Sequence, residues 1–347
     1  MKRLIITILA ILMIFNTTSC NKAEPQKYDA NFLLLFDTVT EVVAYSDNKE
    51  DFKVFAQLIH DNLEVYHQLY DKYNDYEGIN NIKTINDNAG IAPVKVDQKI
   101  IDLLLFSKEM YQKTNGKVNI ALGAVLEIWH DYRTAGIEDP ENAKVPPMDK
   151  LKEANTHTDI NNLMIDEAAS TVYLSDALMS LDVGAIAKGY ATEQVTRIAN
   201  EKGYPDFLLS VGGNVRASGT KGVDKEAWNV GIQNPDKSSE QNSLYTLAIN
   251  DLSLVASGTY ERYYTVDGKI YHHIIDPNTL MPAAYFTAVS IVCKDSGIAD
   301  ALSTAIFNMP YEEGKALIES MDHTSALWVL PDGEMKYSDH FEELIKK

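Results

Sequence analysis

Apolar residues recur every three or four positions from Lys49 to Tyr73, at Phe52, Phe55, Leu58, Ile59, Leu63, Tyr66 and Leu69. This period predicts an amphipathic helix, with Asp47 or Asn48 as its cap. A second helix is predicted over residues 98–114, opened by Asp97 and closed by Gly116, and a third over residues 122–131. Short runs of β-branched and aromatic residues predict strands at residues 32–36 and 39–45, and a small hairpin at 163–165 and 171–174. A helix over 185–201 follows. Strands are then predicted at 207–211, 228–232, 244–249, 253–256, 263–266, 270–275 and 287–292, and a helix at 298–308. Pro140, Pro146 and Pro147 make residues 134–150 the most loop-like internal stretch, between a helical N-terminal lobe and a strand-rich C-terminal part. Strands in succession with helices inserted predict an α+β fold: a mixed, mainly antiparallel sheet with flanking helices in one two-lobed domain.

The N-terminus follows a different pattern. Lys2 and Arg3 precede an apolar run over residues 4–15, and Asn16-Thr17-Thr18-Ser19-Cys20 comes next. This predicts a secretory signal over residues 1–19, too short to be relied on as a membrane span. Ser19-Cys20 resembles a bacterial lipobox, although Thr17 stands where leucine is usual. The expectation is a chain lipidated at Cys20 and held on the outer side of a bacterial cell membrane. Residues 20–30 would form a tether and residues 31–347 the domain. An ordinary secretory signal with Cys20 incidental is the alternative.

Charge narrows the partners. The balance is −19, and loss of residues 1–19 takes Lys2 and Arg3 with it, leaving about −21. Such a surface repels nucleic acid, so DNA and RNA are excluded. A nucleotide could bind only where lysine or a metal supplies local positive charge. The remaining cysteine, Cys293, lies in the strand-like run TAVSIVC and reads as a buried thiol with no disulfide framework.

Two segments carry the clearest chemistry. In LDVGAIAKGY, residues 181–190, Asp182 precedes small residues where a helix should begin, and Lys188 follows about one turn in. Helix-start N–H groups carry partial positive charge and favour a phosphate. In ADALSTA, residues 299–305, Asp300 and Thr304 are four apart and share one helix face. A carboxylate and a hydroxyl are hard oxygen ligands suited to magnesium, which draws few ligands from protein. Each segment alone fits a structural role equally well: a first-turn acid, a solvated lysine, a core-facing threonine. His272 and His273 are adjacent on a predicted strand, so at most one faces a site. The paired glycines of SVGGN, residues 210–214, could form an anion-binding nest or a simple turn. No H-E-x-x-H, C-x-x-C or G-x-S-x-G motif is present.

In order, LDVGAIAKGYA, SVGGN, ASGTYERYY, HIIDP and ADALSTA resemble the ApbE family of FAD:protein FMN transferases, flavin-attaching bacterial lipoproteins. The resemblance runs from about Phe36 to Ala326. It implies a fold related to the T-fold, with flavin and adenine nucleotide held between two subregions. It implies Mg2+ on Asp300 and Thr304 with the carbonyl of Ala185, and FAD contacts at Asp182, Lys188, His273 and Ile274. Tyr73 and Lys117-Val118-Asn119 match further flavin-contact positions. Asn278 and Leu280 depart from an arginine and a glycine of the family's DPRTGxP pattern, Thr259 from an aspartate of SGDYER, and Asn119 from an aspartate.

The implied reaction joins FMN through its phosphate to a threonine hydroxyl of a partner protein and releases AMP. The partner would be a membrane-bound redox subunit or a secreted flavoprotein. His273 is the candidate base, with a pKa expected near neutrality, and Asp182 is the reserve. A flavin-storing lipoprotein and a metal-dependent FAD pyrophosphatase are the competing readings.

Overall fold

An eight-stranded antiparallel sheet forms the spine of the computed structural model, which describes residues 24–347. Its strands are β1 (Gln26–Leu33), β2 (Val39–Ser46), β3 (Phe207–Val211), β4 (Asn214–Ser218), β5 (Leu252–Gly258), β6 (Ala288–Cys293), β7 (Ser325–Val329) and β8 (Met335–Tyr337). They lie side by side in chain order, each antiparallel to the next. Every residue of β6 and β7 is buried, as expected of central strands covered on both faces.

One face carries the helices that build the cleft. These are α1 (Lys49–Tyr70), α2 (Gln98–Lys113), α4 (Ala187–Glu201) and α5 (Ser296–Phe307), with α3 (Gly123–Glu138) beside them in a separate lobe. The predicted apolar stripe of α1, with Phe52, Phe55, Ile59 and Leu63 buried, packs into the main core with α2, α4 and α5. The opposite sheet face is covered by the hairpin Trp228–Gln233/Ser243–Ile249, around Trp228, Ile249 and Phe341. A third cluster joins α3, through Val125 and Trp129, to Tyr264, Ile275 and Leu280 beside the cleft.

Local chemistry explains where elements start. Asn48 Oδ1 accepts from the Asp51 N–H at 2.9 Å, and Asp97 Oδ1 from the Lys99 N–H at 2.8 Å. Asp295 caps α5, accepting from both Gly297 and Ile298.

Several expectations change. Residues 26–30, assigned above to a tether, pair in β1, so the domain begins earlier than residue 31. The strand expected at 32–36 ends at Leu33, because Leu34, Phe36 and Asp37 adopt left-handed backbone. Helix α3 runs to Glu138, into the expected loop, and a helix Met148–Asn155 starts directly after Pro147. Proline there restricts the residue before it and leaves a helix free to follow. The strand expected at 270–275 stops at His272. Helix Tyr311–Glu319 and strands β7 and β8 were not anticipated. The signal segment and Cys20 lie outside the described residues. No helix among the described residues is long and apolar enough to cross a membrane.

Candidate active site

A cleft of about 460 Å³ opens between the main helical face and the lobe built on α3. It brings together Tyr73, Lys117, Val118, Asn119, Asp182, Ala185, Lys188, His273, Ile274, Asp300 and Thr304, residues that sequence position scatters across more than 200 positions.

Asp300 occupies the second turn of α5, since Asp295 and not Asp300 opens that helix. Its Oδ2 accepts from the Gly189 N–H at 2.8 Å and from Asn214 Nδ2 at 3.1 Å. The contact needs glycine at 189: a Cβ there would lie 2.2 Å from the Ser296 carbonyl oxygen and 2.4 Å from the Asp300 Cβ. Burial pushes the Asp300 carboxyl above its usual range, and the Lys188 charge with these two donors offsets the shift only in part. Oδ1 has no hydrogen-bond partner among the described residues.

Two more oxygens nearby share that condition. The Gly189 N–H would close on the Ala185 carbonyl in a regular helix, but it is diverted to Asp300, and Ala185 O accepts no hydrogen bond among the described residues. On α5, the Ser303 hydroxyl takes the Asp300 carbonyl at 2.9 Å, and the Thr304 hydroxyl is left without a partner among the described residues. The N-terminus of α4 is correspondingly less open to a phosphate than its sequence predicts. The Ile186 and Ala187 N–H groups turn back onto Val183 O, and Gly189 serves Asp300.

Asp182 lies five residues before α4. Its Oδ2 pairs with Lys72 Nζ at 2.8 Å and its Oδ1 accepts from the Gly184 N–H at 2.9 Å. Burial disfavours its charge, yet Lys72 and the Gly184 donor win and hold the carboxyl below the usual 3.8. Lys188, the second residue of α4, makes only a 3.5 Å contact to Gly184 O and keeps its ammonium in the cleft.

The two histidines separate as the strand alternation requires. His272 is buried against Phe307; its Nδ1 accepts from the Ile274 N–H, so Nε2 carries the proton and donates to Ala283 O at 2.8 Å. His273 lines the cleft, with Nδ1 3.3 Å from Arg262 O. A carbonyl only accepts, so Nδ1 carries the proton and Nε2 keeps its lone pair. The expected near-neutral pKa is corrected: desolvation, then the neighbouring Arg262, His272 and Lys188, push His273 down to about 3.

Other predicted residues are engaged by the protein itself. Lys117 Nζ forms a largely buried pair with Asp276 Oδ1 at 3.0 Å. Val118 is 1% exposed, so only its backbone is open to a ligand. Asn119 donates to Thr158 O and accepts from the Ala121 N–H. Tyr73 stands half exposed at the rim, tilted on His130 at 5.7 Å. The SVGGN glycines form a two-residue hairpin turn between β3 and β4, with positive φ at Gly212 and Gly213. Leu280, which stands at the glycine of the DPRTGxP pattern, holds a left-handed backbone (φ 60°), with its side chain buried in the α3 cluster and its carbonyl accepting from Trp129 Nε1.

Sequence reading missed Lys72, Asn214, Arg133 and Arg262. Arg133 donates from Nη2 to His130 Nδ1 at 2.9 Å, and burial and Arg262 lower its pKa. Asn214 lay within a segment already singled out for its glycines, and its type, an amide one step past the turn, was the available signal.

The sequence profile of the ApbE family matches residues 36–328. A Treponema pallidum protein named FAD:protein FMN transferase is 36% identical over 270 residues, 74% of this chain and 72% of that protein. A protein of the same name from Klebsiella pneumoniae is 30% identical over 76% of this chain and 80% of its own length. The crystal structure of the ApbE protein of Thermotoga maritima superposes with a TM-score of 0.80 at 28% identity, covering 93% of this chain and all of that one. With its meander sheet, its cleft and the motifs that line it, the chain belongs to the ApbE family.

Proposed function

We propose that this protein transfers FMN from FAD to a threonine hydroxyl of a partner protein, in a Mg2+-dependent reaction that releases AMP. The observation carrying this reading is the trio of unpartnered oxygens in one cleft: Asp300 Oδ1, the Thr304 hydroxyl and the Ala185 carbonyl. All three are hard donors, and a buried carboxylate with no salt bridge among the described residues favours a divalent ion. Mg2+ there would act as a Lewis acid on the diphosphate and relieve charge on the departing AMP.

In the proposed step, the acceptor oxygen attacks the FMN-side phosphorus. The bond from that phosphorus to the bridging oxygen breaks, and the bridging oxygen leaves with AMP. The hydroxyl proton passes to a base. His273 is the candidate through its free Nε2, a weak base at its lowered pKa until an anionic diphosphate offsets the surrounding cations, and Asp182 is the reserve; of the two, the salt-bridged Asp182 is the more committed. Lys188, Arg133 and Arg262 supply local positive charge to a −19 chain, which suits an anionic dinucleotide. Positioning and charge neutralisation are what phosphoryl-type transfer chiefly requires.

The test is incubation of the full chain with FAD, Mg2+ and an acceptor protein. Flavin fluorescence that stays on the acceptor after denaturing electrophoresis supports transfer. AMP without a labelled acceptor means hydrolysis, and no AMP means binding alone. The names of the relatives favour transfer over both. From the signal pattern ending at Cys20 we further propose attachment to the outer side of the cell membrane; Cys20→Ser should move the protein to the soluble fraction.

A further inference from the structure

The three elements that hold Asp300 meet a second time. Gly189 on α4, Asp300 on α5 and Asn214 on β4 form one layer. Four residues along α4, four back along α5 and two along β4 lie Glu193, Ser296 and Arg216. These spacings keep each residue on the same side of its element as its counterpart. Glu193 Oε2 accepts from the Ser296 N–H at 3.1 Å and from Arg216 Nε at 3.2 Å, while Oε1 accepts from Arg197 Nε at 3.3 Å. Glu193 is 5% exposed and Arg216 8%.

We propose that Glu193 and Arg216 are positioning residues for the Asp300 carboxylate. Their buried ion pair fixes the mutual placement of α4, α5 and β4, and thereby aims Asp300 at a divalent cation. The inference rests on the reading of Asp300 as a metal ligand. Stability alone is a poor reason for such a pair, because its desolvation cost approaches or exceeds its Coulomb gain. What the pair supplies is direction: a carboxylate with two oxygens and a planar guanidinium tie three elements in one register. The first layer cannot do this by itself. At Gly189 the helices touch backbone to side chain with no Cβ between them, so no packing there adjusts their spacing. Arg216 is further oriented by donating from Nη1 to Ala217 O.

The test uses the full chain and Mn2+ as probe, with binding read from the loss of the free-ion electron paramagnetic resonance signal. A Mg2+ titration of transfer runs in parallel. Glu193→Gln and Arg216→Lys should each weaken Mn2+ binding about 10- to 100-fold, the range for residues that orient metal ligands. Transfer at saturating Mg2+ should recover to within about threefold of wild type, a split between metal dependence and kcat that lost stability would not produce. Arg197→Ala, which removes the half-exposed outer partner that Glu193 shares with the α5 cap Asp295, should leave both readings unchanged. A folded Glu193→Gln or Arg216→Lys protein with a lowered Tm and wild-type Mn2+ affinity overturns the proposal and leaves the pair a structural one. If Glu193→Gln does not fold, Arg216→Lys, which preserves the charges, decides between the same two outcomes. Asp300→Asn separates the two levels: should it bind Mn2+ as wild type does, the metal assignment itself falls, and the positioning role with it.

Discussion

The cleft sets two carboxylates in opposite electrostatic conditions. Asp182 is matched by the protein: Lys72 lies 2.8 Å away, the Gly184 N–H adds a donor, and its pKa is lowered. Asp300 is given two neutral donors on one oxygen and no hydrogen bond on the other among the described residues, and burial raises its pKa. One acid is complete without a ligand and the other is incomplete. The difference teaches that charge type alone did not distinguish them in the sequence, where both looked like acids at helix starts. Each has a partner more than 100 residues away along the chain, Lys72 for Asp182 and Gly189 for Asp300, and that partner decides its role.

Replacing the incomplete acid should have the largest effect. Asp300→Ala is expected to lower transfer by about a thousandfold or more, the several kcal/mol that a metal's charge stabilisation supplies. In-gel flavin fluorescence of the acceptor measures it, and undiminished labelling would refute the metal assignment. Gly189→Ala comes next. Its methyl group has no room between α4 and α5, so a cost of about 1–3 kcal/mol in denaturant unfolding is expected, together with reduced transfer.

Lys72→Met probes the complete acid. It leaves Asp182 without its cation and should cost about 2 kcal/mol, below the figure for a fully buried pair. The pH dependence follows from the sign of the shift. Asp182 has a folded pKa below its unfolded value, so its contribution is present above about pH 3.8 and is lost as pH falls through the folded pKa. Wild type and Lys72→Met should therefore differ in Tm at pH 7, and the difference should shrink as pH falls below 3.8 and through the folded pKa. Equal Tm values across that range would show that Lys72 does not support Asp182. The smallest effect is expected at Cys293, a buried residue of β6. Burial pushes its thiol up to about 12, so iodoacetamide at pH 8 should leave Cys293 of the folded protein unlabelled. Rapid labelling would contradict the packing around β6.

Much of the framework was legible because it is local. The helix over 49–70 announced itself by apolar spacing, and Asp97 by its place before a periodic run. The adjacency of His272 and His273 predicted that at most one would face the site, and only His273 lines the cleft. What the sequence could not display was distance in the chain. Nothing in the string links Gly189 to Asp300 or Lys72 to Asp182, and the low pKa of His273 depends first on burial and then on Arg262, His272 and Lys188 converging on it. Backbone conformation was equally hidden: the strand expected through Phe36 stops because three residues turn left-handed, none of them glycine. The tether ended early for a related reason, since polar residues of β1 alternate out to solvent at a sheet edge and so look unstructured in composition.

The meander order of the sheet has a consequence for how the protein comes to be made. Strands β2 and β3 are neighbours, yet residues 47–206 intervene, and α5 arrives only after residue 295. Closing so long an excursion is entropically costly and slow relative to local pairing. A nascent chain emerging N-terminus first would hold Lys72 and Asp182 together well before Asp300 exists, so the cleft is complete only once α5 has been synthesised and docked.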